Sequence, residues 1–339
     1  SIKNSGYSVM IRLICWFFVV SLLTILVFAG ISYQTAVTST IVEDSSLVFE
    51  IKDGQSLSQV VDQLKRENIP VDGHWFKIIA YVNGQQDQLK SGEYLITQGM
   101  RLPELLALFI SGASRQHAIT FPEGWNFKQI KYALRQHQAI KQTIDALTLP
   151  ELLVLLKCPY PHVEGLLFPD TYFFAKGDSD LSILKRAYTK MSQVLRQEWE
   201  TRDDDLPVAS RYEALILASI IEKETAIPSE RDQIAGVFIR RLRKKMRLQA
   251  DPTVIYGLGE KYNGNIRTRD LLEDTPYNTY RHKGLTPTPI AMPGGGAIHA
   301  ALHPAPGESL YFVASGNRRH TFSNSLESHN NAVNLYQKK

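Results

Sequence analysis

The segment Arg211–Thr225, RYEALILASIIEKET, places one carboxylate where acid–base chemistry is possible. Leu215, Ala218, Ser219 and Glu222 recur at the three- and four-residue steps that share a helix face. Ala214, Ile216, Leu217, Ile220 and Ile221 leave little polar surface elsewhere, so the helix is expected to be buried nearly all round. A glutamate in that setting is desolvated, holds its proton towards neutral pH, and can donate it to a leaving oxygen. Glu222 is therefore the candidate catalytic acid. Glu224 lies about 200° further round the helix at 100° per residue, so the two cannot act together on one bond. The plain alternative is a helix-end glutamate held by a lysine or arginine.

Further residues suit polar ligand binding. Asp251-Pro252-Thr253 reads as a helix start, with the aspartate as cap and the proline in the first turn. Tyr277-Asn278-Thr279-Tyr280 and the proline-rich run 287–293 form loops whose aromatic and amide groups suit sugars, although turn chemistry accounts for the prolines equally well. His320, Phe322, His329 and Asn330 cluster in sequence and either line a cleft or satisfy one another. Arg240, Arg241, Arg243, Lys244, Lys245 and Arg247 end a helix that starts near Glu230, where cations favour the helix dipole. They lack interleaved aromatics, which argues against nucleic acid. His299 and His303 have the spacing of a zinc-hydrolase helix, but Ala300 stands where the required glutamate belongs. No serine-hydrolase elbow, P-loop or dinucleotide fingerprint is present, and no cofactor or metal is expected.

The elements that must position these groups follow from periodicity and turn signals. Leu47–Ile51 alternates as a strand, and Leu57, Val60, Val61 and Leu64 recur at helical spacing. A helix over Trp75–Val82, a strand over Ser91–Ile96 and a proline-started helix over Leu102–Ile110 complete a small strand-helix module. That order resembles a LysM-type glycan-binding module; a spacer domain is the alternative. Ile119–Phe121 reads as a strand, Phe127–Leu134 and Ser179–Trp199 as helices, and Leu310–Ala314 with His320–Ser323 as a hairpin around Ser315-Gly316-Asn317 before a last helix near Ser325.

No charge interrupts Leu13–Ile31, about the length needed to cross a bilayer. Lys3 and Arg12 precede it and no basic residue follows until Lys52, so the positive-inside rule puts the N-terminus in the cytoplasm and exports the rest. The run exceeds the apolar core of a usual signal peptide, which favours a retained anchor. Cys15 and Cys158 are placed too differently to be expected to pair. A net charge of +4 in 339 residues is too slight for a nucleic-acid footprint. The expected organisation is a cytoplasmic segment 1–12, a transmembrane anchor 13–31, a spacer 32–46, the LysM-like module 47–118, a connecting strand and helical region 119–205, and a mixed α+β catalytic domain 206–339 built on the buried helix. The fold class is α+β.

Blocks spread along the chain are similar to one known family. ASIIEKET from Ala218, SERDQIAGVFIRRL from Ser229, MRLQADPTVIYGLG from Met246, TPYNTY from Thr275, PIAMPG from Pro289, HPAP from His303, LYFVASG from Leu310 and HTFSNSLESHN from His320 resemble the endolytic murein transglycosylases, also called MltG or YceG-like. PEGWNFKQI from Pro122 and EGLLFPDTY from Glu164 extend the likeness over most of the exported part. Leu166 and Leu167 stand where an aromatic is expected, and the Gly294–Gly296 run aligns least well.

The resemblance implies that the first glutamate of EKET, Glu222, is catalytic. It implies further that Glu164, Asp251, Thr253, Tyr277, Asn278, Thr279, Tyr280, Pro289, His320, Phe322, His329 and Asn330 border a glycan cleft. The implied activity is cleavage of the β-1,4 bond between N-acetylmuramic acid and N-acetylglucosamine with 1,6-anhydro ends, terminating strand growth. The implied partners are peptidoglycan glycan strands and membrane-bound peptidoglycan synthases. The alternatives are a lysozyme-type muramidase, which would need a second carboxylate or an activated water, and a non-catalytic peptidoglycan-binding scaffold.

Overall fold

A computed structural model describes residues 3–42, 45–316 and 319–336. The turn residue Asn317 and the first two residues of the expected cytoplasmic segment lie outside them. The chain divides into two compact units, Ser1–His117 and Ala118–Lys339. It is mixed α+β, with three two-stranded sheets among the described residues.

The first unit opens with helix α1 (Lys3–Thr38), whose stretch Arg12–Thr38 is long and apolar enough to cross a membrane, with mean hydropathy 2.6. The helix continues past Ile31 through half of the expected spacer. Thr35 and Thr38 donate their hydroxyls to the carbonyls of Ile31 and Gln34 at 3.0 and 2.7 Å, so polar side chains that read as loop are satisfied on the helix itself. Ile41 and Val42 are then buried in the core of this unit, and the Ile41 N–H donates to Met100 O at 2.8 Å. Within the expected spacer, residues 32–38 are thus helical, and Ile41 and Val42 are packed.

Strand β1 (Leu47–Ile51), helices α2 (Leu57–Arg66) and α3 (Gly73–Val82), strand β2 (Gly92–Ile96) and helix α4 (Leu102–Ser111) follow. β1 and β2 pair antiparallel from Leu47↔Ile96 to Ile51↔Gly92. Their alternation puts Phe49, Ile51, Tyr94 and Ile96 inward, where Phe49 stacks on Phe109 at 5.6 Å and Tyr94 meets the same ring at 5.0 Å. A Ser56–Gln59 capping box starts α2, as the turn before the apolar period requires.

The second unit comprises β3 (Gln116–Thr120), which enters it from the first, then α5 (Phe127–Gln136), α6 (Leu149–Leu155), β4 (Thr171–Ala175), α7 (Asp180–Glu200), α8 (Arg211–Glu224), α9 (Arg231–Arg243), α10 (Asp251–Leu258), α11 (Thr268–Leu272), α12 (Gly295–Leu302), the hairpin β5 (Tyr311–Gly316) and β6 (Arg319–Ser323), and α13 (Leu326–Tyr336). β3 pairs with β4. The expected boundary near residue 206 is not a division into separate bodies. α7 supplies Ile183, Leu184 and Ala187 to one apolar core and Met191 and Leu195 to the next, binding residues 118–205 to the helices beyond.

Helix α8 is the centre of the larger core. Every residue from Ala214 to Ile221 is buried, with α7, α9, α10 and α12 against it. Ser210 caps its start by accepting the Glu213 N–H at 3.2 Å. Ser219, buried in its middle, donates to Ile216 O at 2.7 Å and accepts the Ile290 N–H at 3.0 Å, so the only hydroxyl in that stretch ties the proline-rich loop to the helix. α8 stops at Glu224, and Thr225 is extended. Both of its terminal glutamates therefore project from the end of a rigid, buried rod.

Candidate active site

The two glutamates enter different surroundings. Glu222 faces the loop Pro122–Asn126 and the start of α12. Its Oε2 accepts the Gly294 N–H at 3.0 Å, and its Oε1 lies 3.6 Å from Arg231, which also meets Glu123 at 3.3 Å. The side chain is 6% exposed, and burial raises its pKa. The Gly294 N–H and the Arg231 guanidinium oppose that rise, because both favour the charged form. A Cβ on Gly294 would meet the Glu123 carboxylate, which would have to swing aside. Glu222 thus joins the beginnings of α9 and α12 in one polar knot.

Glu224 turns the other way. Its residue is half-buried overall, but Oε1 has no solvent contact and no hydrogen-bond partner among the described residues. Burial, with the negative charge of Asp251 second, pushes its pKa up to about 8; Arg241 opposes this. The carboxyl floors a cavity of about 480 Å³ lined also by Arg241, Asp251, Tyr280, Tyr311, His320, His329 and Asn330.

Each wall of that cavity has a structural cause. Arg241, on the last turn of α9, is buried and held by Leu248 O at 2.7 Å and Leu310 O at 2.6 Å, with its guanidinium 5.1 Å from the Tyr311 ring centre. Its N–H groups are satisfied by carbonyls, its charge is kept, and no carboxylate lies in ion-pair range of it among the described residues. Asp251 is the first helical residue of α10, with Ala250 at the cap position, so its side chain is not spent on capping as the sequence led us to expect. It accepts the Tyr280 O–H at 2.6 Å instead; burial, and after it this acceptor, raise the phenol's pKa. His320 is fixed by Glu230, through its N–H at 3.1 Å and Nδ1 at 2.8 Å. His329 stacks on Tyr311 at 5.2 Å, its Nδ1 is buried without a hydrogen-bond partner among the described residues, and burial lowers its pKa.

Glu164 marks a second depression, of about 970 Å³, lined by Gly124, Phe127, His162, Lys223, Tyr256 and Ile290 among others. It is buried, accepts the Phe127 N–H at 3.0 Å and the Tyr256 O–H at 3.1 Å, and burial lifts its pKa to about 7. Lys223, from the same helix end as the two glutamates, reaches Gly124 O at 3.2 Å across this depression.

Of the expected site residues, Asp251, Tyr280, His320, His329 and Asn330 gather round Glu224, and Glu164 lines the second depression. Others are committed to structure. Asn278 is buried, donates to Leu271 O and Glu273 O at 3.0 and 2.7 Å, and accepts the Tyr280 N–H at 2.9 Å. Thr253 and Thr279 are buried and bond each other at 2.8 Å, Thr279 also accepting the Ala250 N–H. Tyr277 bonds Thr288 at 2.9 Å and packs on Tyr256. Pro289 is buried against Gly165, and Phe322 packs on Phe312 and the core. These six hold the loops that present the cavity wall and are not its surface. Tyr311 was not among the expected site residues, Arg241 was read as a helix-end cation, and Glu224 was set aside as pointing away from Glu222. The signal for Glu224 was its place at the last helical position, beside the break at Thr225.

Comparison with known proteins now bears on this arrangement. The YceG-like family pattern matches residues 49–335. The chain belongs to the YceG-like family. A protein of Bacillus subtilis named endolytic murein transglycosylase is 32% identical over 90% of this chain and 89% of its own length. One of Streptococcus pneumoniae with the same name is 27% identical over 84% of this chain, which spans only 57% of that longer protein. A crystal structure of a YceG-like protein from Listeria monocytogenes, 29% identical, covers 84% of this chain and 98% of its own with a TM-score of 0.53. The match to the family takes in both units and both glutamates.

Proposed function

We propose that this YceG-like protein is a membrane-anchored lytic transglycosylase that cuts peptidoglycan glycan strands internally, with Glu224 as its acid and base. The observation that carries the reading is the enclosed Glu224 carboxyl, neutral up to about pH 8, at the floor of a cavity walled by tyrosine, histidine, asparagine and a buried arginine. The names of the relatives supply the substrate class.

In the proposed reaction, neutral Glu224 gives its proton to the oxygen between N-acetylmuramic acid and N-acetylglucosamine as positive charge develops at the muramyl anomeric carbon. The resulting carboxylate then takes the proton of the muramyl C6 hydroxyl. That oxygen attacks the anomeric carbon and closes a 1,6-anhydro ring, so no water is consumed. Proximity of the internal hydroxyl replaces the second carboxylate that a hydrolase needs. Asp251 is occupied by Tyr280 and orients that phenol towards the cavity. Arg241 lies beside the carboxyl and stabilises the anion formed midway.

Glu222, which the sequence put forward, supports the reaction as a positioning residue in this reading. Its carboxylate already receives an N–H and faces a guanidinium, both of which hold it to the structure. Replacing each glutamate by glutamine and weighing the products from uncrosslinked glycan tests the assignment. Anhydro ends that vanish with Glu224→Gln support it; reducing ends from the unaltered protein would instead mark a hydrolase.

The first unit, with its strand, two helices, returning strand and further helix, is proposed to be the LysM-like glycan-binding module. We also propose that α1 keeps the N-terminus cytoplasmic and places the second unit on the outer side, where nascent strands and their synthases meet and cleavage ends strand growth. The basic residues Lys3 and Arg12 before the apolar run support that orientation.

A further inference from the structure

Two histidines at the end of α12, His299 in its last turn and His303 just past it, are left unused by the transglycosylase reading and lie together with a glutamate of α7. The side chains of His299 and His303 are brought to one side by the four-residue step, their rings stacked at 4.4 Å. Glu198, in the last turn of α7, reaches between them. Its Oε2 lies 2.9 Å from His299 Nδ1 and 3.8 Å from His303 Nε2, and one ligand atom from each of the three falls within 4.8 Å of the others. Four ligands about 2.0–2.2 Å from a tetrahedral zinc ion stand roughly 3.3–3.5 Å apart, so the trio closes on an ion with small side-chain rotations.

A further contact points the same way. His303 Nδ1 lies 3.1 Å from Asp203 Oδ1, and the Asp203 N–H donates to Leu302 O at 3.0 Å, which fixes the aspartate at the end of α12. With its Nδ1 proton given to Asp203, His303 presents an unprotonated Nε2 to the Glu198 side. A carboxylate behind the histidine is the arrangement that orients a metal-binding imidazole and raises its basicity. Thr201 Oγ1, 3.5 Å from the same Nε2, is the remaining polar neighbour.

We propose that His299 Nδ1, His303 Nε2 and Glu198 form a site for one divalent first-row metal ion, Zn²⁺ by the nitrogen and carboxylate character of the donors. Water takes the fourth position, since His299 remains about half exposed. The role is structural and not hydrolytic, because Ala300 offers no general base. The ion joins the end of α7 to the end of α12. The other end of α12 begins at Gly294, whose N–H holds Glu222, and α12 lies along α8, which carries both glutamates. Metal binding is thereby coupled to the stability of the helix pair beneath the candidate active site.

The test uses the full chain in detergent, made without a polyhistidine tag and stripped with chelator. Zn²⁺ titration by calorimetry is expected to give one equivalent. Affinity should fall at least tenfold in His299→Ala and in His303→Ala. Asp203→Asn, which keeps the ligands, should weaken binding by a smaller factor. Zn²⁺ should raise the melting temperature of the unaltered protein and leave that of His303→Ala unchanged. Circular dichroism of the metal-free variants checks that they fold, which partial exposure of both rings favours. No binding to the unaltered chain, or affinity in the histidine variants unchanged from that of the unaltered chain, overturns the site.

Discussion

Replacing Glu224 by glutamine should stabilise the protein, and more so as pH rises. A carboxyl held at about 8 instead of 4.5 costs roughly 5 kcal/mol more to ionise inside the protein than in water, at about 1.4 kcal/mol per tenfold change in equilibrium. The sign follows from linkage. Below about pH 4.5 the group is protonated in both the folded and the unfolded chain and contributes nothing. Between 4.5 and 8 the unfolded chain releases the proton while the folded chain keeps it, so stability falls with rising pH; above 8 the loss is constant. Glutamine has nearly the same shape and no charge to release, and it escapes this loss. Thermal and denaturant unfolding of the full chain in detergent at pH 4, 7 and 9 measures it. The melting temperatures of Glu224→Gln and the unaltered protein should coincide at pH 4 and separate by several kcal/mol in stability at pH 9. Glu164, held at about 7, adds a similar slope to both proteins and cancels in the comparison. Parallel pH profiles would show that burial does not keep Glu224 neutral, and the acid assignment would lose its physical basis.

Other perturbations probe the surroundings. Asp251→Asn removes the second cause of the raised Glu224 pKa while leaving an acceptor for Tyr280, so the alkaline limb of the cleavage-rate profile should move down by under about 2 pH units; an unmoved limb would exclude Glu224 as the titrating group. Gly165→Ala forces a left-handed φ of +78° on a residue whose Cβ would enter the Pro289 ring, and should cost about 2–3 kcal/mol by denaturant unfolding. Full recovery of stability would mean that the loop round Glu164 yields freely. Tyr256→Phe deletes a hydrogen bond that holds the Glu164 pKa down, so that carboxyl should titrate at higher pH, as read by NMR of labelled glutamate; an unchanged titration would show the bond to be inconsequential.

Much of the scaffold was legible from period and punctuation. Leu47–Ile51 is legible to the residue from its alternation, α2 and α8 from the helical spacing of their apolar residues, and α4 from the proline that opens it. What escaped had physical reasons. Thr35 and Thr38 look like spacer until their hydroxyls are seen to return to the helix backbone. Strand β4 hides in Thr171–Ala175, whose TYFFA run carries no apolar–polar alternation, and α12 opens on glycines that speak against a helix. The choice between Glu222 and Glu224 was closed to face-counting for a different reason. A helix buried on every side has no polar face to serve as a reference, so spacing says only that the two point apart. Which one meets an open cavity depends on α9, α10 and the hairpin, elements that lie up to about a hundred residues further along.

A direct comparison of glycan cleavage by the Glu224→Gln and Glu222→Gln proteins, both verified as folded, bears most directly on the central claim. Loss of anhydro-ended fragments by at least about a hundredfold, as expected for removing a general acid, should accompany the change at 224, while the change at 222 leaves measurable cleavage. Full activity with glutamine at 224, or abolition at 222 alone, would contradict the account.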